Sequence, residues 1–455
     1  MRRAAPDLRN IDSSSATEVP AQAGSSQTGS ARGRRGLPQL LGTRLPFFYG
    51  WVVLGCLCCA GFARQGGATA TFSVFVEPLT REFGWSRTAV AGAASLGGVL
   101  AALLSPLIGP LFDRYGSRVA LCLAVLGTGV AALLLSETQN LLVFYLLFCV
   151  ARLNWASPFE LGIYSALNNW FVARRPLANS IATVAQMVGL VAMPLIAQLA
   201  MREASWRAGW VAIGIAVLVI GLVPVWLLMV RRPEDLGLLP DNAGMRPSVD
   251  RGSAAAAPIE VTFSRRQAVR TPAFWLLLSY TVLVYPVQAG VSLHQAANLT
   301  EHGVAPTLAA SIVSLFSLMS GIASALIGLM PRSVPIRYPM ALGGVFLTIG
   351  CSAMIGIASA GQGAIAAALF GLGIGSMLTL LPIAWADYFG RANYGAIRGL
   401  ALSAQVIAQA AGPILSGALH DWTGNYTRSL ECFAALSFLS ILAALSARRP
   451  RLAPS

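Results

Sequence analysis

The chain has 455 residues, of which 56% are hydrophobic and only 11% are charged, and its mean hydropathy is +0.66. Because a soluble domain carries about 25% charged residues, this composition excludes an ordinary soluble protein and predicts a polytopic α-helical membrane protein. The formal net charge of +14 would suggest nucleic acid as the partner of a soluble chain. In a membrane protein, however, basic residues collect in cytoplasmic loops, so we predict no nucleic-acid binding.

Residues 1–46 are polar and rich in Ser and Arg, and they contain no long apolar run. This composition predicts a disordered cytoplasmic tail and not a secretory signal. An Arg- and Ser-rich tail also resembles an organellar transit peptide, but Asp7, Asp12 and Glu18 disfavour that alternative.

Twelve apolar stretches follow, each long enough to cross a hydrocarbon core of about 30 Å. A longer polar stretch separates the first six from the last six. We therefore predict an N-terminal six-helix bundle at 47–230, a cytoplasmic linker at 231–271, a C-terminal six-helix bundle at 272–447 and a cytoplasmic tail at 448–455. The predicted spans are 49–76, 89–112, 118–136, 141–168, 177–200, 206–230, 273–294, 306–330, 338–358, 362–384, 396–419 and 429–447.

The arginines between spans are concentrated in alternate connections, and both ends of the chain are Arg-rich as well. By the positive-inside rule the richer set is cytoplasmic, which places both termini in the cytoplasm and agrees with an even number of spans. We predict a bacterial inner membrane as the location. The cytoplasmic set comprises Arg114, Arg118, Arg174, Arg175, Arg231, Arg232, Arg265, Arg266, Arg270, Arg332, Arg337, Arg391 and Arg398, against Arg81, Arg87, Arg202, Arg207 and Arg428 on the other side.

The link between the second and third spans carries a charged turn, Gly-Pro-Leu-Phe-Asp-Arg-Tyr-Gly-Ser-Arg, at 109–118. Glycine permits a tight turn between closely packed helices, and the Asp can bind an Arg or cap a helix N-terminus. This turn resembles the Gly-x-Leu-x-Asp-Arg-x-Gly-x-Arg signature of the major facilitator superfamily at the same link. The resemblance implies an all-α membrane fold of twelve transmembrane helices in two six-helix halves. It also implies a conformational gate on the cytoplasmic side, formed by Gly109, Asp113, Arg114, Gly116 and Arg118.

Further segments are similar to the monocarboxylate and oxalate/formate branch of that superfamily. Asn-Trp-Phe-Val-Ala-Arg-Arg-Pro-Leu-Ala at 169–178 resembles the entry to the fifth span of these transporters. Pro-Glu-Asp-Leu-Gly at 233–237, with Pro-Asp at 240–241, matches the segment after their sixth span. Tyr-Phe-Gly-Arg at 388–391, followed by Ile-Arg-Gly at 397–399, matches their tenth-to-eleventh link. Because basic residues at a cytoplasmic interface anchor helices whatever the cargo, these segments indicate kinship and not substrate.

The chain departs from these relatives in its membrane charges. The eighth span contains no Asp or Arg at 307–330, where animal monocarboxylate carriers place a charged pair, and the eleventh span lacks a buried Lys of the oxalate-carrier kind. The second-half counterpart of the charged turn, at 328–337, lacks the Asp. We therefore expect charge recognition in the first half, and no named substrate is carried over from the family.

Arg64 in the first span and Arg152 in the fourth span lie near the middle of the bilayer, given a rise of about 1.5 Å per residue. A charge at that depth is costly and usually faces a water-filled cavity. The family resemblance implies that spans one, four, seven and ten line a central cavity, where both guanidinium groups would bind a substrate carboxylate bidentately. In the alternative, one Arg is structural and bonds to backbone carbonyls or to Glu160.

Glu160 in the fourth span and His294 in the seventh are candidates for carrying a coupling proton, since burial and neighbouring charges shift the titration of such groups. The alternatives are a solvated interface position for Glu160 and a hydrogen-bonded cavity position for His294. Tyr285, Gln288 and Ser292 recur at helical spacing, so we predict that they share a cavity face and contact the substrate.

The sequence contains no Walker-type motif, nucleophile elbow or paired catalytic carboxylates, and its seven cysteines show no metal-ligand spacing. We therefore predict neither an enzyme nor an ATP-driven pump, and no metal or other cofactor. The predicted function is secondary transport of a small organic anion, a mono- or dicarboxylate, by a monomer that works by proton symport or anion exchange and alternating access. The alternatives are an exporter of drug-like or other non-carboxylate compounds and a transporter-like sensor.

Overall fold

The computed structural model describes Pro38 and residues 45–242, 262–331 and 333–450. Nearly all of the tail predicted at 1–46, the middle of the linker and residues 451–455 therefore lie outside the described residues. The membrane helices, numbered here as the first to the twelfth span, are Gly50–Arg64 with Thr69–Phe83, Arg87–Tyr115, Ser117–Leu135, Leu141–Ala156 with Pro158–Trp170, Arg175–Glu203, Trp206–Ala216 with Val223–Leu228, Pro272–Glu301, Pro306–Gly328, Arg337–Ala353, Ala360–Phe389, Tyr394–Thr423 and Thr427–Ser446.

Within the described ranges, ten helices are long and apolar enough to cross a membrane by length and composition. The other two spans are short for identifiable reasons. The first span is interrupted, so its two helices have 15 residues each. The ninth span has 17 residues, about the shortest length that crosses the hydrocarbon core. The predicted all-helical membrane fold is confirmed, and ten helices plus these two are consistent with twelve spans.

The first span is broken by a 3-10 turn, Gln65–Gly67, where the sequence predicted one continuous apolar segment. Gly67 packs against the fourth span, because a Cβ there would lie 2.5 Å from the carbonyl oxygen of Ala151. The Thr71 hydroxyl donates a 2.7 Å hydrogen bond to the carbonyl of Gln65, which also accepts a 3.1 Å bond from the Ala68 N–H at the end of the 3-10 turn. A second helix then carries the span to Phe83, beyond its predicted end.

The fourth span, predicted as one segment over 141–168, is likewise two helices that meet at Ser157. Pro158 causes the break because it has no N–H and its ring clashes with the preceding turn. Ser157 accordingly has φ −128° and ψ −70°, and its hydroxyl oxygen lies 2.8 Å from that of Ser105 in the second span. The break places a helix N-terminus inside the bundle, and Glu160 lies in its first turn.

The outer faces of the bundle are apolar. Leu103, Leu107, Leu142 and Ile414 are 66%, 66%, 71% and 72% exposed, respectively. A soluble monomer rarely exposes such large contiguous apolar surface, whereas acyl chains cover it at no cost. These faces are therefore the lipid-contacting surface of a multi-pass membrane protein.

The second and eleventh spans join the two halves and approach each other at small residues. A Cβ at Gly109 would lie 2.1 Å from the carbonyl oxygen of Gly395, and a Cβ at Gly395 would lie 2.4 Å from that of Gly109. One turn further along the eleventh span, Gly399 faces the Ser105 carbonyl in the same way. Small residues let the two backbones pack directly. Close packing of this kind holds helices together in a bilayer, where no hydrophobic effect drives their association.

The two ends of the described body lie on one face of the bundle, which we call the terminal face. The Tyr49 hydroxyl, just before the first span, donates a 2.8 Å hydrogen bond to the Leu228 carbonyl at the end of the sixth span. The Tyr388 hydroxyl, at the end of the tenth span, donates a 2.6 Å bond to the Ala447 carbonyl after the twelfth. This face carries the connections that the Arg distribution predicts to be cytoplasmic.

Candidate functional site

Arg64 ends the first helix of the first span, and it is buried, with 8% of its surface exposed. Its Nη1 lies 2.7 Å from Oε2 of Glu160 and donates a 2.6 Å hydrogen bond to Oε1 of Gln186. Its Nε donates a 2.9 Å bond to the Trp155 carbonyl. Arg64 therefore has the contacts of the structural alternative, in which a carboxylate and a backbone carbonyl hold it, and any role in binding substrate stays a prediction.

Glu160 is buried rather than solvated, because only 7% of its surface is exposed. Its Oε2 pairs with Arg64, and its Oε1 lies 3.7 Å from Nη2 of Arg398 in the eleventh span. Its position in the first turn of Pro158–Trp170 adds the positive end of the helix dipole to these two charges. Glu160 thus connects an Arg of the first half with an Arg of the second.

Arg152 and Arg64 meet on one aromatic ring. The guanidinium carbon of Arg152 lies 4.1 Å from the centroid of the Trp155 ring, and that of Arg64 lies 4.8 Å from it. Yet Nε and Nη1 of Arg152 are buried and have no hydrogen-bond partner in the described part of the chain. Buried N–H groups without an acceptor are unfavourable until a ligand or water supplies one. Arg152 therefore keeps hydrogen-bonding capacity that Arg64 has used.

Arg398 is the charged member of this cluster that the sequence reasoning missed, since it was counted with the cytoplasmic connections. It lies in the first turns of the eleventh span and is only 1% exposed. Its Nη2 donates to the Gln405 amide oxygen, whereas its Nε and Nη1 are buried without a partner among the described residues. Its position inside an apolar helix, between Ile397 and Gly399, was the signal that could have identified it.

Polar side chains of other spans complete the cluster. Gln186 of the fifth span accepts from Arg64 and donates a 3.2 Å hydrogen bond to the Tyr164 hydroxyl. Tyr285 of the seventh span is buried and close enough to Glu160 to interact with its charge. We call Arg64, Arg152, Glu160, Arg398, Gln186, Tyr164 and Tyr285 the central cluster. It contains three guanidinium groups and one carboxylate.

The other predicted residues of the seventh span lie progressively farther from this cluster, toward the face opposite the termini. Gln288 accepts a 3.1 Å hydrogen bond from Gln409, and the Ser292 hydroxyl is buried with no partner within the described ranges. His294 contacts the carbonyl of Gly290 at 3.2 Å and lies against the ring of Tyr426, inside the second half. Tyr285 alone of the predicted seventh-span residues therefore joins the central cluster.

The predicted gate motif lies between the halves on the terminal face. Asp113 accepts hydrogen bonds of 2.9 Å and 2.8 Å from the backbone N–H groups of Gly395 and Ala396, so it caps the eleventh span from the other half. Arg114 instead stacks on its neighbour Tyr115. Arg118 donates to the Trp226 carbonyl, and Gly116, at φ +85°, packs against Arg231. Asp113 and Gly109 thus join the halves, while the other three motif residues contact the first half and the start of the linker.

Two arginines add polar contacts that join the halves at this face. Arg175 begins the fifth span and its Nη1 lies 2.7 Å from Oδ1 of Asp387 at the end of the tenth span. Arg391 donates a 2.9 Å hydrogen bond to the Asn169 carbonyl, and its Nη2 lies 2.9 Å from Glu234 Oε1 in the linker. The terminal face is therefore closed by polar contacts between the halves.

The described residues contain no group of three His, Cys, Asp or Glu side chains that could hold a metal ion. The seven cysteines are free thiols dispersed through the spans.

The described residues form an all-helical membrane protein, in which ten helices are long and apolar enough to cross a membrane and a buried charge cluster joins the two halves. A model of the Major Facilitator Superfamily matches residues 57–295, just over half of the chain. The chain belongs to this superfamily, and it is a transporter-family protein and not an enzyme.

Sequence similarity to named proteins supports the same family. Over 171 residues the chain is 30% identical to Monocarboxylate transporter 4 of Gallus gallus, and over 170 residues it is 34% identical to Monocarboxylate transporter 3 of Rattus norvegicus. Each match covers 36% of this chain, and the chain spans about a third of the length of these transporters, 35% and 34%. The Membrane sensor protein UhpC of Escherichia coli strain K12 is 25% identical over 359 residues, which cover 75% of this chain and 80% of that protein.

Solved structures show the same fold. The proton:xylose symporter XylE has a TM-score of 0.68 at 14% identity, covering 87% of this chain and 94% of that one. The human organic anion transporter MFSD10 has a TM-score of 0.65 at 13% identity, covering 87% and 99%. At such low identity these likenesses concern the fold alone.

Proposed function

We propose that this protein is a secondary transporter of a small organic anion, a mono- or dicarboxylate, that works by alternating access. The observation that carries the proposal is the unused hydrogen-bonding capacity of Arg152, whose buried Nε and Nη1 have no acceptor in the described chain. A guanidinium binds a carboxylate through two parallel hydrogen bonds and stays charged at any relevant pH. The partial match to monocarboxylate transporters supports the same class of cargo.

The charge balance of the central cluster supports an anion as the guest. Glu160 neutralises one of the three guanidinium groups, which leaves an excess of positive charge beside Trp155. This excess disfavours the alternative of an exporter of drug-like cations, because such cargo would be repelled from the site. A carboxylate bound at Arg152 would reduce this excess, and a dicarboxylate would reduce it further.

Glu160 is the residue we propose for coupling to protons. A bound carboxylate and the ionised Glu160 would share the same guanidinium groups and repel each other, so binding of the anion and protonation of Glu160 favour one another. This reciprocity is what proton symport requires. In anion exchange, a second anion carried in the opposite direction would be the coupled species in place of the proton. His294 lies outside this cluster, so we assign it no coupling role.

We further propose that the terminal face is cytoplasmic and that the contacts of Asp113, Arg175 and Arg391 break when the substrate passes on that side. The concentration of Arg at this face supports the orientation. In such transporter folds, alternating access generally occurs by rocking of the two halves about a site near the membrane midplane. The proposed location is a bacterial inner membrane.

Replacement of Arg152 by Gln tests the cargo site. A thermal-shift screen of the purified protein against a panel of carboxylates first selects a substrate, whose uptake is then measured in proteoliposomes. Because a hydrogen bond to a charged group contributes about 1.5–3 kcal/mol, R152Q should weaken binding roughly 10- to 150-fold. The matched control is R428Q, which removes an exposed Arg paired with Glu431 on the opposite face. Equal uptake by R152Q and the control would reject the proposed site.

The similarity to a membrane sensor protein over three quarters of the chain makes a sensor the second candidate. Counterflow separates the two functions. A transporter preloaded with unlabelled substrate draws in labelled substrate, whereas a sensor binds the same compound without exchange.

A further inference from the structure

A second basic site lies on the terminal face, apart from the central cluster. A cavity of about 380 Å³ is walled there by the start of the fifth span, the connection before the ninth span, the end of the tenth and the segment after the twelfth. Among the described residues, four arginines line it against a single carboxylate, and these are Arg175, Arg337, Arg448, Arg449 and Asp387. The transport proposal uses the pair of Arg175 and Asp387 as a contact between the halves but assigns no role to Arg337, Arg448 and Arg449.

The carboxylate of this cavity does not neutralise most of its arginines. Asp387 is paired with Arg175 at 2.7 Å. Arg337 donates from Nη2 to the Tyr338 hydroxyl at 2.9 Å, but its Nε is buried and has no partner in the described part of the chain. Arg337 and Arg449 both lie close enough to the Tyr388 hydroxyl for their charges to act on it. The cavity therefore combines converging positive charge with an unused buried donor.

The rest of the wall is apolar. Met330 and Val334 lie on one side, and Leu380 and Ile383 of the tenth span on another. A site with a cationic rim and apolar walls, at the end of membrane helices, suits a phosphate group that carries acyl chains better than a small hydrophilic ion.

We propose that this cavity binds a phosphate group, carried by an anionic phospholipid or free in solution, with Arg337, Arg448 and Arg449 as its ligands. Arg175 and Pro176 of the first half form one wall, and the second half forms the others. A phosphate held by these three arginines of the second half therefore lies against the first-half wall, and its contact with both halves stabilises the closed terminal face. The proposal does not depend on the identity of the transported anion.

The test compares two pairs of adjacent, exposed arginines on the same face. R448Q/R449Q removes two charges from the cavity, and R265Q/R266Q removes two charges from a short helix of the linker whose residues do not line it. The purified wild type and both variants are titrated with phosphatidylglycerol, phosphatidylcholine or inorganic phosphate at constant ionic strength, and the shift in Tm gives the apparent Kd. R337Q is a third variant, which removes the buried donor.

Phosphatidylglycerol should stabilise the wild type and R265Q/R266Q more than phosphatidylcholine does, and R448Q/R449Q should bind it roughly 30-fold more weakly. R337Q should weaken binding as well. If inorganic phosphate, and not phosphatidylglycerol, binds the wild type and R265Q/R266Q more tightly than R448Q/R449Q, the site is supported and its ligand is a free anion. Equal titrations of R448Q/R449Q and R265Q/R266Q with both probes would overturn the proposal, because surface charge and not the cavity would then account for binding.

Discussion

At the scale of single residues, the stability of the central cluster depends on how each buried charge is paired. Arg64 and Glu160 form a buried pair at 2.7 Å, and Arg398 reaches the same carboxylate at 3.7 Å. Taking two ions out of water is costly, and their attraction offsets that cost only when the geometry is good. Removal of one partner leaves the other buried and uncompensated. The pair is therefore more sensitive to mutation than the exposed ion pairs of this protein.

Glu160→Gln should destabilise the protein by about 3–5 kcal/mol, because it leaves Arg64 and Arg398 facing an uncharged amide. It should also abolish proton-driven accumulation of substrate and preserve counterflow, if Glu160 carries the coupling proton. The matched control is Glu431→Gln, whose partner Arg428 is exposed and whose loss should change stability by about 0–1 kcal/mol. Chemical unfolding in detergent measures both. A smaller loss in E160Q than in E431Q would contradict the assigned energetics.

At the scale of helices, hydropathy predicted where the spans lie but not where they break. Long apolar runs identify membrane helices because lipid forces every backbone group to bond within its segment. The break at Gln65–Gly67 depends on close contact with other spans, which one sequence does not display. The break at Ser157 has a signal in the sequence, because Pro158 follows it directly. Arg398 was counted with the cytoplasmic connections although it lies inside the predicted span 396–419, because it is close to the start of that span and Arg is common at the cytoplasmic interface.

Gly395→Ala should prevent the second and eleventh spans from packing at the terminal face. The added Cβ would lie 2.4 Å from the backbone oxygen of Gly109 and 2.9 Å from Asp113 Oδ1, and a backbone oxygen cannot move aside cheaply. Overpacking of this kind costs about 1–3 kcal/mol.

Gly417→Ala is the matched control in the same helix, since a Cβ there meets nothing within 4 Å. The Tm of G395A should fall below that of the wild type, and the Tm of G417A should stay equal or rise. A Tm of G395A as high as that of G417A would show that the two backbones are not in contact in this way.

At the scale of the whole molecule, the sequence predicted the fold well and the site less completely. Composition, the count of apolar runs and the charged turn at 109–118 were sufficient for the superfamily fold. They also identified Arg64, Arg152, Glu160 and Tyr285, which the structure brings together. The sequence does not show which arginine keeps unused N–H donors, because that depends on side-chain contacts among four different spans.

The orientation of the molecule is testable with truncated reporter fusions in a bacterial host. A fluorescent protein fused after Arg174, on the terminal face, should fluoresce, because the Arg-rich connections remain in the cytoplasm. Alkaline phosphatase fused after Asn140, in the connection on the opposite face, should be active, because that enzyme requires export. Activity of the phosphatase after Arg174 and its absence after Asn140 would reverse the proposed orientation.

The division of the central cluster between the halves also has a consequence for biogenesis. Arg64, Glu160 and Gln186 all belong to the part of the chain that the ribosome makes first, so their pairing can be complete while the second half is still being translated. Arg398 is synthesised later, and within its own helix it donates one hydrogen bond, to the uncharged amide oxygen of Gln405, which does not neutralise its charge. The eleventh helix therefore leaves the translocon carrying a charge that only assembly with the finished first half can relieve.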